Sequence, residues 1–144
     1  MAKKLANNYR LYIQSTTAGT YNEIKGQGNL SIARQAGTID LTSKSDAPYG
    51  LSAPGLRTVT VSCAVIPDLP DATGYTRAET LSNDPTTPSE LYQIRKAPYA
   101  TPGDVVFQAA MYTNISSTNL NQNEGVAVSI ELSLAAAPTV DTLA

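Results

Sequence analysis

Apolar and polar side chains alternate with period two through most of the chain, the pattern of half-buried β-strands. Tyr9 to Gln14 sets Leu11 and Ile13 against Arg10, Tyr12 and Gln14. Tyr21 to Lys25 reads as a short strand that ends at Gly26-Gln27-Gly28, and Asn29 to Arg34 resumes alternation through Leu30 and Ile32. Gly37 marks a bend or bulge. Beyond it Ile39 and Leu41 oppose Thr38, Asp40 and Thr42, and Val59, Val61, Cys63 and Val65 oppose Thr58, Thr60, Ser62 and Ala64. The connection between these two strands, Ser43 to Gly55, exceeds the roughly two to five residues of an ordinary hairpin loop. Two readings fit it: a surface insertion, or an arm that reaches a neighbouring subunit.

The second half alternates less evenly. Pro67 to Gly74 is a proline-bounded turn, and Tyr75 to Asp84 reads as a loop with room for one helical turn over Arg77 to Leu81. Thr87-Pro-Ser-Glu has the form of a capping box with proline at the first helical position. Leu91, Ile94 and Ala97 follow at helical spacing, Arg95 and Lys96 suit a last turn, and Pro98 would stop it. The spacing therefore predicts a short amphipathic helix over 87–97, packed on an open end or face of the sheet. Val105 to Ile115 alternates again, Asn114 to Gly125 is a polar hairpin loop, and Val126, Val128, Ile130, Leu132 and Leu134 form the cleanest apolar face in the chain. The expected domain is single, 1–144, with a flexible N-terminal segment over about residues 1–7 and a C-terminal tail over about 136–144.

Composition narrows the chemistry. The net charge is -2 over 144 residues and the pI is near 5.0, so no overall basic field favours tight nucleic-acid binding. With no histidine, Ser-His-Asp and Cys-His catalysis and the usual zinc sets are unavailable. Asp68 and Asp71 flank Pro70, where capping explains them better than a two-carboxylate hydrolase does. No enzyme, cofactor or metal site is expected. The single cysteine, Cys63, falls on the apolar side of its strand and reads as a buried structural thiol. The first residues turn polar after two lysines, unlike a secretory signal, and no stretch approaches the about eighteen apolar residues of a membrane span, so no membrane anchor is expected.

Two skews remain. The non-core faces of the clearest strands carry Thr38, Asp40 and Thr42; Thr58, Thr60, Ser62 and Ala64; Val106, Gln108 and Ala110; and Ala127, Ser129, Glu131 and Ser133, with no lysine or arginine among them. Such faces suit an ordinary solvated sandwich or the wall of a passage for a polyanion, where missing cations prevent adhesion. Eight tyrosines stand against one phenylalanine, fitting either half-buried subunit contacts or the rim of a small core.

The order of these elements, with a long loop between the strands around Ile39 to Val65, the segment Gln93-Ile-Arg-Lys, and a final strand ending Glu131-Leu-Ser-Leu-Ala, resembles the tail tube proteins of long-tailed bacteriophages, which are related to type VI secretion tubes and gene transfer agent tails. The resemblance implies a mainly β fold, an antiparallel β-sandwich or barrel with one short flanking α-helix and a long hairpin arm. It implies a structural virion protein of the tail, made in the host bacterial cytoplasm, whose copies form stacked hexameric rings. Its partners would be itself, the tape measure protein, the tail terminator and the distal tail protein, with DNA as weakly interacting passing cargo. Thr38, Asp40, Thr42, Thr58, Thr60, Ser62 and Glu131 become candidates for the lumen wall. Lys44, Asp46, Pro48, Tyr49, Leu51 and Pro54 become candidates for the inter-subunit arm. The alternative is a β-sandwich binding module that recognises glycan or protein through its loops.

Overall fold

The computed structural model describes residues 3, 5, 8–46, 48–99 and 103–142. Eight antiparallel strands form its body: β1 Tyr9–Gln14, β2 Tyr21–Glu23, β3 Gln27–Asp40, β4 Ser52–Val65, β5 Ser89–Lys96, β6 Val105–Asn119, β7 Ala127–Leu134 and β8 Val140–Asp141. One helix, α1, spans Tyr75–Asn83. The strand order is β2-β1-β5-β6-β7-β4-β3. The long strand β6 is the pivot, because its first part pairs with β5 as far as Tyr112 and the remainder, from Met111, pairs with β7. The two halves of the sheet therefore meet along one strand and bury a common core. Leu11, Ile13, Tyr92, Ile94, Phe107, Ala109 and Met111 from one half join Val59, Val61, Cys63, Val65, Val128, Ile130 and Leu132 from the other. The period-two faces expected for β4 and β7 are the ones buried.

A side chain closes the seam between the outer strands. The Gln27 amide accepts from Leu11 N at 2.8 Å and donates to Leu11 O at 2.7 Å and Ile24 O at 2.8 Å. It replaces the ladder that β1 and β3 do not make. Beside it, the buried Asp71 carboxylate accepts from Lys25 N and Tyr75 N, each at 3.0 Å, so one acid anchors both the turn before β3 and the start of α1. Gly74 is required there, since a Cβ would lie 2.4 Å from Asp71 Oδ2 and 2.7 Å from Glu23 O. Asp71, read as a capping and solvated acid, is buried and accepts from the first amide of α1, while Gly74 is the N-cap residue.

The helix expected over 87–97 is corrected: this segment is strand β5, and the helix lies earlier, over Tyr75–Asn83. Thr87 has φ 48, whereas an N-cap residue needs an extended backbone. The segment also sits between β1 and β6, which satisfy both edges of its backbone. Tyr92 and Ile94 then reach the core, while Gln93 and Arg95 are buried on the opposite face. Tertiary pairing outweighs a local helix signal worth a few tenths of a kcal/mol per residue.

One further expectation changes. Ile39 and Leu41, read as core, are exposed, because β7 pairs with β4 only from Thr60 to Val65 and, among the described residues, no strand continues beside the outer β3–β4 ribbon. The segment after β7 turns back along the first part of β6, with β8 paired to Phe107 and Gln108 and Arg34 ion-paired to Asp141. The N-terminal segment read over about residues 1–7 lies largely outside the described residues.

Candidate functional site

The register assembles one continuous outward face from four strands. Across β3, β4, β7 and β6 the rows read Ala33, Thr60, Ser133, Tyr112 and then Ser31, Ser62, Glu131, Asn114. A third row sets Ala64 beside Ser129 and Ser117, and Gln35 pairs with Thr58 at the outer margin. These positions carry one charge, Glu131, and no cation. Arg34 lies on the other side of β3, held by Asp141, with Nε 3.3 Å from its Oδ2. Strand alternation is the cause, for a cation one position along β3 from Gln35 or Ala33 points away from this face.

Of the sequence candidates for this wall, Thr58, Thr60, Ser62 and Glu131 come together. Thr38, Asp40 and Thr42 lie farther out, past a register shift between Ala36 and Thr38. The shift falls where the two strands run backbone to backbone, since a Cβ on Gly55 would lie 3.3 Å from Gly37 C and O. The β3 positions that share the face, Ser31, Ala33 and Gln35, were missed because strict alternation back from Thr38 points to even positions, whereas the register shift between Ala36 and Thr38 puts odd positions on this face.

Beyond the bulge the ribbon ends in a tied tip. Thr42 Oγ1 accepts from Leu51 N at 2.8 Å and donates to Leu51 O at 3.2 Å, and Leu41 N donates to Leu51 O at 2.9 Å. Asp40 Oδ1 accepts from Thr42 N at 2.9 Å, and this hydrogen bonding holds the Asp40 carboxyl below the usual range. Lys44–Asp46 forms a single 3-10 turn, followed by Pro48 and Tyr49, and Pro54 lies opposite Thr38. The ribbon displays Ile39, Leu41, Tyr49, Leu51 and Leu56, with Tyr49 76% and Leu56 90% exposed. The tip is thus ordered by its own hydrogen bonds yet covered with unburied apolar side chains.

The tyrosines divide by environment. Tyr75 and Tyr92 belong to the core, the latter with its hydroxyl paired to Thr113. Burial pushes the Tyr92 phenol well above its ordinary range. Tyr12, Tyr21 and Tyr99 gather around cations instead: Arg95 lies 4.5 Å from the Tyr12 ring and 5.6 Å from Tyr21, and Arg10 lies 4.9 Å from Tyr99. Arg95 Nε also donates to Gln93 Oε1, whose own amide donates to Gln108. This network roofs the outer side of β1, β5 and β6 with cation–π contacts. A cleft of about 830 Å³ opens between β1 and β3. Among the described residues no group of three His, Cys, Asp or Glu could hold a metal.

Residues 7–140 match the family model of the phage tail tube proteins. No curated protein matches the chain by sequence. The fold is similar to that in the tail of an empty gene transfer agent particle refined with C6 symmetry, at 18% identity and TM-score 0.75, covering 97% of this chain and all of that one. It is also similar to the SPP1 tail tube, at 13% identity and TM-score 0.65, covering 96% of this chain and 81% of that one. The baseplate of the anti-feeding prophage gives 10% identity and TM-score 0.59, with 99% of each chain covered.

Proposed function

The chain belongs to the phage tail tube protein family, a structural component of the virion tail, and we propose that its copies close into hexameric rings that stack into a tube for DNA delivery. The observation that carries this reading is the four-stranded, cation-free face joined to an exposed apolar hairpin. A wall for passing DNA must not hold it, and each lysine or arginine that met a phosphate would add binding. The face supplies small neutral side chains and one carboxylate in their place. Among the described residues β3 pairs only with β4, so its outer edge offers unpaired amides and carbonyls to a neighbouring copy. A repeated head-to-tail contact of this kind generates rings when the rotation closes. The C6 symmetry of the similar gene transfer agent tail supports six copies per ring. In this reading Thr38, Asp40, Thr42, Thr58, Thr60, Ser62 and Glu131 lie toward the lumen. Lys44, Asp46, Pro48, Tyr49, Leu51 and Pro54 belong to the arm that engages another subunit.

The tube would be assembled in the host cytoplasm and meet the tape measure protein in its lumen and the terminator and distal tail proteins at its ends. Its role is mechanical, without catalysis. Electron microscopy of the concentrated protein tests the reading, with stacked rings as the expected result. Deleting 47–53 should leave a folded monomer that grows no tubes. Compact monodisperse particles at every salt and protein concentration would overturn the assignment.

A further inference from the structure

The cation-free face has two outer edges, and they are not alike. One is β3, which among the described residues pairs only with β4. The other is the second part of β6, because β5 ends its pairing at Tyr112 while β6 runs on beside β7 to Asn119. The hydrogen bonds of β6 fix which way its peptide groups point. Val106 O, Gln108 O and Ala110 O accept from Thr142 N, Thr139 N and Ala135 N, so even positions turn their backbone polar groups toward β7 and β8. Odd positions turn theirs the other way, and no register shift intervenes between Met111 and Ile115. The Ile115 amide therefore points out of the free edge, where a further strand would meet it.

Among the described residues no strand pairs there. Helix α1 lies over this edge in its place, and Ser82 Oγ accepts from Ile115 N at 3.0 Å. A side-chain hydroxyl thus occupies the position of a strand carbonyl. The main anchors of α1 fall in its first turn: Asp71 accepts from Tyr75 N, Tyr75 and Ala78 are buried, and Arg77 donates to Gln14 O at 2.8 Å and pairs with Glu90. The last turn is held more lightly, by the partly buried Leu81 and by Ser82. A cavity of about 290 Å³ lies beside it, between Leu81, Ser82 and Pro88 on one side and Tyr112 and Thr113 on the other. The last turn has room to shift while the first stays fixed.

We propose that Ser82 is a placeholder: it holds the Ile115 amide while a copy is free and yields it to a backbone carbonyl of a neighbouring copy's β3 when the ring closes. This rests on the tube reading, in which β3 offers its outer edge to a neighbour, and it names the device that guards the edge on the other side. An open strand edge pairs indiscriminately, and a helix laid over it limits that pairing. The exchange itself is close to neutral, since one uncharged hydrogen bond replaces another. Closure is delayed by the movement of the last turn of α1, and the closed ring loses nothing by it.

Hydrogen exchange at the Ile115 amide, read in free copies and in assembled tubes of the whole chain, tests this. In free copies Ser82→Ala should speed that exchange by about tenfold or more, and Ser82→Thr, which keeps the hydroxyl, should restore protection. In tubes the amide should exchange slowly in wild type and Ser82→Ala alike, because the neighbour now supplies the acceptor. Ser82→Ala should also shorten the lag before tube growth by about two- to tenfold, the factor that one hydrogen bond is worth. Fast exchange at Ile115 in Ser82→Ala tubes would show that the hydroxyl keeps the amide in the assembly; it would overturn the placeholder and leave the tube reading standing. An unchanged or longer lag, or unchanged exchange in free copies, would do the same. A wild-type chain that forms no tubes would remove both.

Discussion

Gln27 shows how much of this fold rests on one amide. Its side chain offers a donor and an acceptor to Leu11 as a neighbouring peptide would, and a second acceptor, Ile24 O, shares the donor. In Gln27→Glu the acceptor for Leu11 N survives, but a carboxylate oxygen faces two carbonyls. The expected loss is about 2–4 kcal/mol at pH 7. It should shrink near pH 4, as protonation restores one donor. Urea unfolding at both pH values checks this, and an unchanged midpoint at pH 7 would show that the seam does not need the amide. Cys63 gives a prediction of the opposite kind. Burial pushes its thiol from 9.0 up to about 12, so the folded chain holds a proton that the unfolded chain releases above pH 9. Its contribution is complete below pH 9 and is lost between pH 9 and 12, by about 1.4 kcal/mol per pH unit. The buried Tyr92 phenol acts in the same direction at still higher pH. Cys63→Ala should therefore start less stable at pH 7 yet show a shallower alkaline decline, as read from unfolding midpoints between pH 8 and 10.5.

At the scale of elements, legibility followed the burial of faces. Strands β4 and β7 were readable because each buries one side, so Val59 to Val65 and Val128 to Leu132 write their period directly into the chain. Strand β5 buries Tyr92, Gln93, Ile94 and Arg95 in succession, which erases alternation. Its Leu91, Ile94 and Ala97 then mimic a helix. The true helix was obscured by its polar composition, although Tyr75, Ala78 and Leu81 recur at helical spacing and Asp71 stands four residues before its first residue. Asp71 also accepts from the turn before β3, a partnership that no local window contains. Asp71→Ala should cost about 2–4 kcal/mol by leaving Lys25 N and Tyr75 N without their acceptor. Hydrogen exchange should quicken in α1 and around Lys25 together. Faster exchange in α1 alone would mean that the acid does not couple them. The cation-free face was partly legible for a related reason: Thr58 to Ser62 and Glu131 sit on regular strands, whereas the bulge near Gly37 hides which β3 residues join them.

At the scale of the whole molecule, the face makes a demand on charge that the net value of -2 does not express. Ser129 and Ser133 are exposed on β7 in the same rows as Thr60 and Ala64. Ser129→Lys/Ser133→Lys should fold and assemble, since neither side chain contributes to the core, but its tubes should retain duplex DNA at low salt and release it steeply as salt rises. Co-sedimentation of short duplexes with wild-type and variant tubes measures this. Equal retention by both would remove the lumen assignment. Glu131 gives the face a further property. As the one charge in these rows, it would recur as a ring of carboxylates at each level of a stacked tube, with the Asp40 carboxylates farther out along the ribbon. With a screening length of about 8 Å at physiological ionic strength, the wall potential of such a tube would be corrugated along the axis and not uniform. A polyanion advancing through it would meet a shallow washboard, whose ripple is set by these two acids per copy and flattens as salt is raised.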